Sequence, residues 1–247
     1  MIGSLVFAAL LGASAPGVLD SGDMRGAMKA SKTQPAASSL TGRRFRVAIP
    51  FVDGARRDLK TFQSPARYDY RNGELQVTVG LGQLTADNYD QFQRQGLQAL
   101  PPLQTVFFDS TQLKDEAYFR DYNGRGNNVG EIGVRNITTT YGLAVPYAND
   151  QSALPPKFEP LMVYKAHMNS QAYRGMVDGM TLVLEGEVTS PATFCGDYNG
   201  ELTAKDAAQS TRYRVASHQC FVTARINKAT IQSGVGAVLA SWGTTKR

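Results

Sequence analysis

The sequence predicts an α+β protein, β-rich and mainly antiparallel, with an N-terminal sheet carrying two helices and a C-terminal small barrel or sandwich tied by one disulfide. Three observations lead there. Residues 44 to 51 alternate, with Phe45, Val47, Ile49 and Phe51 on one side and Arg44 and Arg46 on the other, the period-two pattern of a half-buried strand. Asn72-Gly73 separates two further strand-like runs and suits the positive φ angles of a tight hairpin turn. In the C-terminal quarter, strand-like stretches carry the two cysteines of the chain, Cys195 and Cys220.

Four parts are expected along the 247 residues: 1–15, 16–41, 42–153 and 154–247. In the first, the apolar run from Leu5 to Leu11 ends in Ala13-Ser14-Ala15, a small-x-small pattern that suits signal peptidase, although Met1 to Ser4 carry no basic residue and Pro16 follows the cut. This segment reads as a signal peptide and is too short for the roughly 20 residues of a membrane-crossing helix. Residues 16 to 41, rich in Ala, Ser, Gly and Lys, read as a flexible tether.

In the third part, the strand over 44–51 is followed by the Asn72-Gly73 hairpin. A two-residue turn there sets Arg71 opposite Glu74, Tyr70 opposite Leu75 and Tyr68 opposite Val77. Helical spacing of Tyr89, Phe92, Gly96, Leu97 and Leu100 predicts a helix over 87–100, stopped by Pro101-Pro102. A short buried strand is expected over 103–108, then a second helix over 111–122, capped by Asp109 or Ser110 and ended by Asn123-Gly124. The glycine-bearing run from Gly124 to Gly130 has neither the Gly-Lys-Ser/Thr ending of a phosphate loop nor dinucleotide-fingerprint spacing, so it reads as a surface loop. Residues 131 to 145 read as one or two strands.

Pro155-Pro156 and Pro160 interrupt every regular pattern, which places a boundary near Leu154. Beyond it come a strand over 161–166, a short helix over 171–177, and a strand over 181–189 in which Gly186 marks a bulge or bend. A turn at Phe194-Cys195-Gly196, a mobile stretch over 197–210 and strands over 211–217, 219–226 and 229–232 complete the pattern. Such a module resembles a small Greek-key barrel of the OB kind, whose usual ligands are oligonucleotides or oligosaccharides; a sandwich or an open sheet fits almost as well.

Composition is that of a folded globular chain, with 42% hydrophobic and 19% charged residues. The formal charge of +5 is unevenly placed. Residues 41 to 71 hold eight cations (Arg43, Arg44, Arg46, Arg56, Arg57, Lys60, Arg67 and Arg71) against three Asp, while 72 to 247 are balanced. Arg43, Arg44, Arg46, Arg56 and Arg57 are thus candidates for holding an anionic partner, whether acidic glycan, lipid headgroup or nucleic acid; the plainer reading is a solvated strand face. Cys195 and Cys220 are expected to form a structural disulfide, which accords with export. A reactive Cys220 would need a base, and His218 shares its face of an extended strand.

For catalysis the sequence offers two histidines, His167 and His218, and neither a Gly-x-Ser-x-Gly elbow, a His-Glu-x-x-His pair nor a zinc-ligand spacing. No cofactor or metal is expected. Asn136-Ile137-Thr138 matches a glycosylation acceptor. Glu185 and Glu187 read as a solvated strand edge. The expectation is an exported protein of periplasm, envelope or exterior that binds or builds. The alternative is an exported hydrolase of glycan or peptide, using acids such as Asp109, Glu116, Asp121, Glu185 or Glu187 among eleven Tyr and eleven Phe.

Overall fold

The computed structural model describes residues 17–31, 40–53, 65–84, 102–113, 117–122, 128–134, 137–147, 153–206 and 209–243. These described residues form two sheets and two helices. The larger sheet holds β1 (Arg44–Pro50), β5 (Gly82–Leu84), β6 (Leu103–Leu113), β7 (Ala117–Tyr122), β8 (Asn128–Val134), β9 (Ile137–Pro146), β11 (Thr181–Asp206), β12 (Gln209–Gln232) and β13 (Val238–Gly243). The smaller is ordered β10 (Leu161–His167), β4 (Glu74–Gly80), β3 (Pro65–Asp69), β2 (Val52–Asp53). The helices are α1 (Ser21–Ser31) and α2 (Ser170–Val177).

The main path of the larger sheet runs β1-β11-β12-β9-β6-β5, so among the described residues the sheet is open and no barrel closes. Most pairings are antiparallel, but β9 and β8 lie parallel to β12, which makes this sheet mixed. The chain passes between the sheets four times, twice at a one-residue corner. Phe51, buried between β1 and β2, donates its N–H to the Met180 carbonyl at 2.9 Å, and Leu81, between β4 and β5, donates to the Pro160 carbonyl at 2.7 Å. One buried cluster draws on both sheets, with Phe45, Val47, Leu182, Leu184 and Ile226 from the larger and Leu75, Val77 and Val79 from the smaller.

The alternation over 44–51 gives β1 as expected, its inward Phe45, Val47 and Ile49 buried. Gly186 is also where the ladder shifts, between Glu185 and Gly186. Its reason is steric: Gly186 pairs with Phe45, and a Cβ there would come within 2.8 Å of the Phe45 ring and collide with the Arg225 carbonyl. The expected strand over 161–166 and short helix over 171–177 are β10 and α2. The helix is capped by the Asn169 side chain, which accepts from the Ala172 N–H at 2.8 Å.

The hairpin at Asn72-Gly73 forms with a different register. Tyr68 pairs with Leu75 and Asp69 with Glu74, leaving residues 70–73 in the turn. The cause is Asp69: its carboxylate accepts from the Arg71 N–H at 2.8 Å and the Asn72 side-chain amide at 2.7 Å, which stabilises a longer turn that Gly73 closes at φ 60°.

Other expectations are corrected. The segment read as a tether contains α1, which starts with a reciprocal cap: Asp23 N–H donates to the Asp20 carboxylate at 2.8 Å and Asp20 N–H to that of Asp23 at 3.2 Å. Met24 and Met28, one turn apart, are both buried in the shared core. Leu19 extends the edge of β1 through bonds to Arg44 and Arg46 of 2.9 and 2.8 Å. The helix expected over 111–122 is instead the end of β6 and the strand β7, paired in register with β8 from Ala117 opposite Val134. Pairing with distant partners overrides a weak helical spacing in a segment rich in strand-favouring aromatics. The turn expected at 194–196 and, of the mobile stretch expected over 197–210, residues 197–206 and 209–210 belong to β11 and β12, and the three strands expected over 211–232 are one. Residues 1–15, Arg56, Arg57, the helix over 87–100 and Asn136 lie outside the described residues.

Pairing also crosses position 154: β10 pairs with β4, β11 with β1, and β12 with β8 and β9.

Candidate functional site

Strand pairing turns the basic stretch of β1 into a charged sheet face. Arg44 stands opposite Glu187, which in turn stands opposite Arg225 of β12; Arg46 stands opposite Glu185, which stands opposite Lys228. Directly paired residues point the same way. The face opposite Phe45 and Val47 therefore carries two short rows of cation, carboxylate, cation across β1, β11 and β12. Four cations surround two carboxylates, and Arg43 adds a fifth at the margin.

These charges are unequally engaged. Arg46 Nε lies 3.7 Å from Glu185 Oε1, with both side chains more than a third exposed, so solvent screening limits the pair to well under about 1 kcal/mol. Arg43 and Arg44 are exposed and form no ion pair among the described residues. Arg225 is exposed and Lys228 half-buried on the neighbouring strand. The sequence grouped Arg43, Arg44 and Arg46 by position; strand pairing adds Arg225 and Lys228 to the same face. Arg225 carried a local signal, since it alternates with the apolar Ala224 and Ile226; Lys228 joins only through the bulge that takes up Asn227. The acids read as a solvated edge, Glu185 and Glu187, stand in the middle of this face rather than at its edge.

A second cluster lies further along the ribbon. Cys195 and Cys220 are bonded, directly opposite each other on β11 and β12 with Cα atoms 4.1 Å apart. His218, two positions before Cys220, brings Nε2 to 3.3 Å from Cys220 Sγ. Cys220 is fully buried, while Cys195 and His218 are half-buried. Just before the cysteines the ladder jogs: residues 189–192, including the cis Ser190–Pro191 bond, stand opposite Thr223 alone. Pro191 has no N–H to give the ladder, which suits it to this break.

A separate ion pair ties α1 to the sheet. Arg25 Nη1 lies 2.6 Å from Asp109 Oδ2 on β6, so Asp109, a candidate acid on sequence grounds, is engaged in holding the helix to the sheet. No helix among the described residues is long and apolar enough to cross a membrane.

Fold and site thus define a β-rich protein with a cation-rich sheet face and one cross-strand disulfide beside a histidine. No protein-family model matches the chain, nor does any curated protein or solved structure.

Proposed function

We propose that the protein is exported, soluble or envelope-associated, and works by binding or structural association with an anionic partner. The observation that supports this reading is the exposed face of β1, β11 and β12, where four cations surround two carboxylates and Arg43 and Arg44 project at the margin without an ion pair among the described residues. Acidic glycan, anionic lipid headgroup and nucleic acid present the same chemistry to such a face: closely spaced negative charge whose counterions are released on contact. The glutamates between the cations break up what would otherwise be a single-sign field.

The test is retention on an immobilised sulfated polysaccharide as a function of salt. Arg43→Ser with Arg44→Ser is expected to weaken binding and flatten its salt dependence by close to one unit of slope per lost contact. Arg67→Ser, which removes one exposed charge from the smaller sheet, is the control and leaves the slope unchanged. Binding indifferent both to salt and to the double substitution overturns the anionic reading. Export is tested separately, by thiol alkylation of fractionated cells before and after reduction: an exported chain is labelled at Cys195 and Cys220 only after reduction.

A further inference from the structure

We propose that Cys195, Cys220 and His218, once the disulfide is opened, bind one thiophilic divalent cation of the zinc type. This stands independently of the anion-binding reading.

Strand geometry brings the three donors together. Cys195 and Cys220 face each other across an antiparallel pair, and His218 precedes Cys220 by two positions, so all three side chains leave the same face. Their ligand atoms lie within 4.8 Å of one another. Zinc bonds of about 2.3 Å to sulfur and 2.0 Å to nitrogen require tetrahedral edges of roughly 3.5 Å from sulfur to nitrogen and 3.8 Å between sulfurs. The first is nearly met, since His218 Nε2 lies 3.3 Å from Cys220 Sγ. The second follows from rotation of the cysteine side chains about Cα–Cβ, with both backbones in place.

Chemistry selects the cation. Two thiolates and a neutral imidazole suit zinc and its neighbours and exclude calcium and magnesium, which take oxygen ligands. Three protein donors leave a fourth position for water or an added ligand. Approach from solvent is over the half-buried Cys195 and His218, while Cys220 forms the enclosed floor.

The site exists only after a two-electron reduction. A dithiol reductant delivers two electrons and two protons to the Cys195–Cys220 bond, becoming a disulfide itself and leaving two thiols; the cation then displaces both thiol protons and accepts lone pairs from two thiolates and the imidazole. The same atoms thus bond to each other under oxidising conditions and to a metal under reducing ones.

The experiment titrates the full-length reduced chain, without oxygen, with Co²⁺ as a spectroscopic probe and then with Zn²⁺ as competitor. One equivalent of Co²⁺ is expected to produce a thiolate-to-cobalt charge-transfer band that Zn²⁺ removes and that the oxidised chain never shows. His218→Ala is expected to weaken cobalt binding at least about ten-fold, and Cys195→Ser to abolish the two-thiolate band. Far-UV circular dichroism, run in parallel, covers loss of structure on reduction: strand signal that falls on reduction and returns with Co²⁺ and the band also supports the site, because binding then drives folding. Absence of a stoichiometric band from the reduced chain, folded or not, overturns the proposal. So does a His218→Ala chain that binds Co²⁺ as tightly as the parent.

Discussion

The ribbon of β11 and β12 is held in two different ways along its length. From Thr181 to Val188 it is flanked by β1 on one side and β13 on the other, and Phe45, Val47, Leu182, Leu184 and Ile226 bury its inner face. From Thr193 onward the outer edge of β11 has no strand partner among the described residues; β12 pairs with β9 and β8, a small cluster of Phe194, Phe221, Leu103 and Ala144 covers one face, and Cys195–Cys220 crosses the pair. A two-stranded ribbon alone is marginal in water. The first stretch is held by apolar burial and by flanking strands on both sides, whereas the second has an open outer edge among the described residues and a covalent tie across the pair.

That contrast can be broken from the core side first. Phe45→Ala removes an aromatic that fills the space over Gly186, and we expect a loss of about 3–5 kcal/mol in denaturant unfolding. A loss below about 1 kcal/mol would mean that burial is not what holds the first stretch.

Next, replacing both Cys195 and Cys220 with Ala opens a tie between positions 25 apart in sequence and is expected to cost about 3 to 4 kcal/mol on the chain-entropy account. Hydrogen exchange sharpens the point: amides from Phe194 to Ala204 are expected to exchange faster in the variant, and those of Val183 and Leu184 only as far as global stability falls. Equal acceleration along the ribbon would show that it opens as one unit.

Smaller effects belong to features outside the ribbon or on its solvent face. Asp69→Ala removes the carboxylate that organises the 70–73 turn; thermal unfolding is expected to register about 1 kcal/mol, with ribbon exchange unchanged in pattern. Arg46→Ala is expected to change stability by at most about 0.5 kcal/mol, because its glutamate pair is solvated. A cost above about 2 kcal/mol would make the charged face part of the scaffold.

Much of this was legible where the governing interactions are local. Alternation set β1, and the short helix expected over 171–177 is α2. Gly186 stood out because a glycine inside an alternating run has few other uses. The hairpin was legible but its register was not, since the choice of turn depended on the Asp69 side chain rather than on Asn72-Gly73 alone. The start of α1 was written in Asp20-Ser21-Gly22-Asp23, yet only Met24 and Met28 among small residues marked its buried face, too sparse a stripe to distinguish from a tether.

What could not be read is what depends on distant pairing. Nothing near residue 119 says that it will face Ile132 on a strand docked in parallel on β12. The charged face shows the same limit: Arg44 and Arg46 were visible in one place and Glu185 and Glu187 in another, but their opposition is a property of the β1–β11 register. The disulfide was legible because the chain has two cysteines, and the face shared by His218 and Cys220 because positions two apart in a strand point the same way; that Cys195 joins them depends on the β11–β12 register.

The position of β12 in the chain also sets an order of assembly. This one strand borders β11, β13, β9 and β8, and it is made late, over residues 209–232. As synthesis proceeds, β8 and β9 wait with an unfilled edge, and β1 waits for β11. Only short-range pieces, such as the β3–β4 hairpin, have their partners close at hand. Closure over such separations is slow, in the millisecond-to-second range for sheets dominated by distant contacts. Until its last quarter is present the larger sheet lacks the strand that joins its two sides.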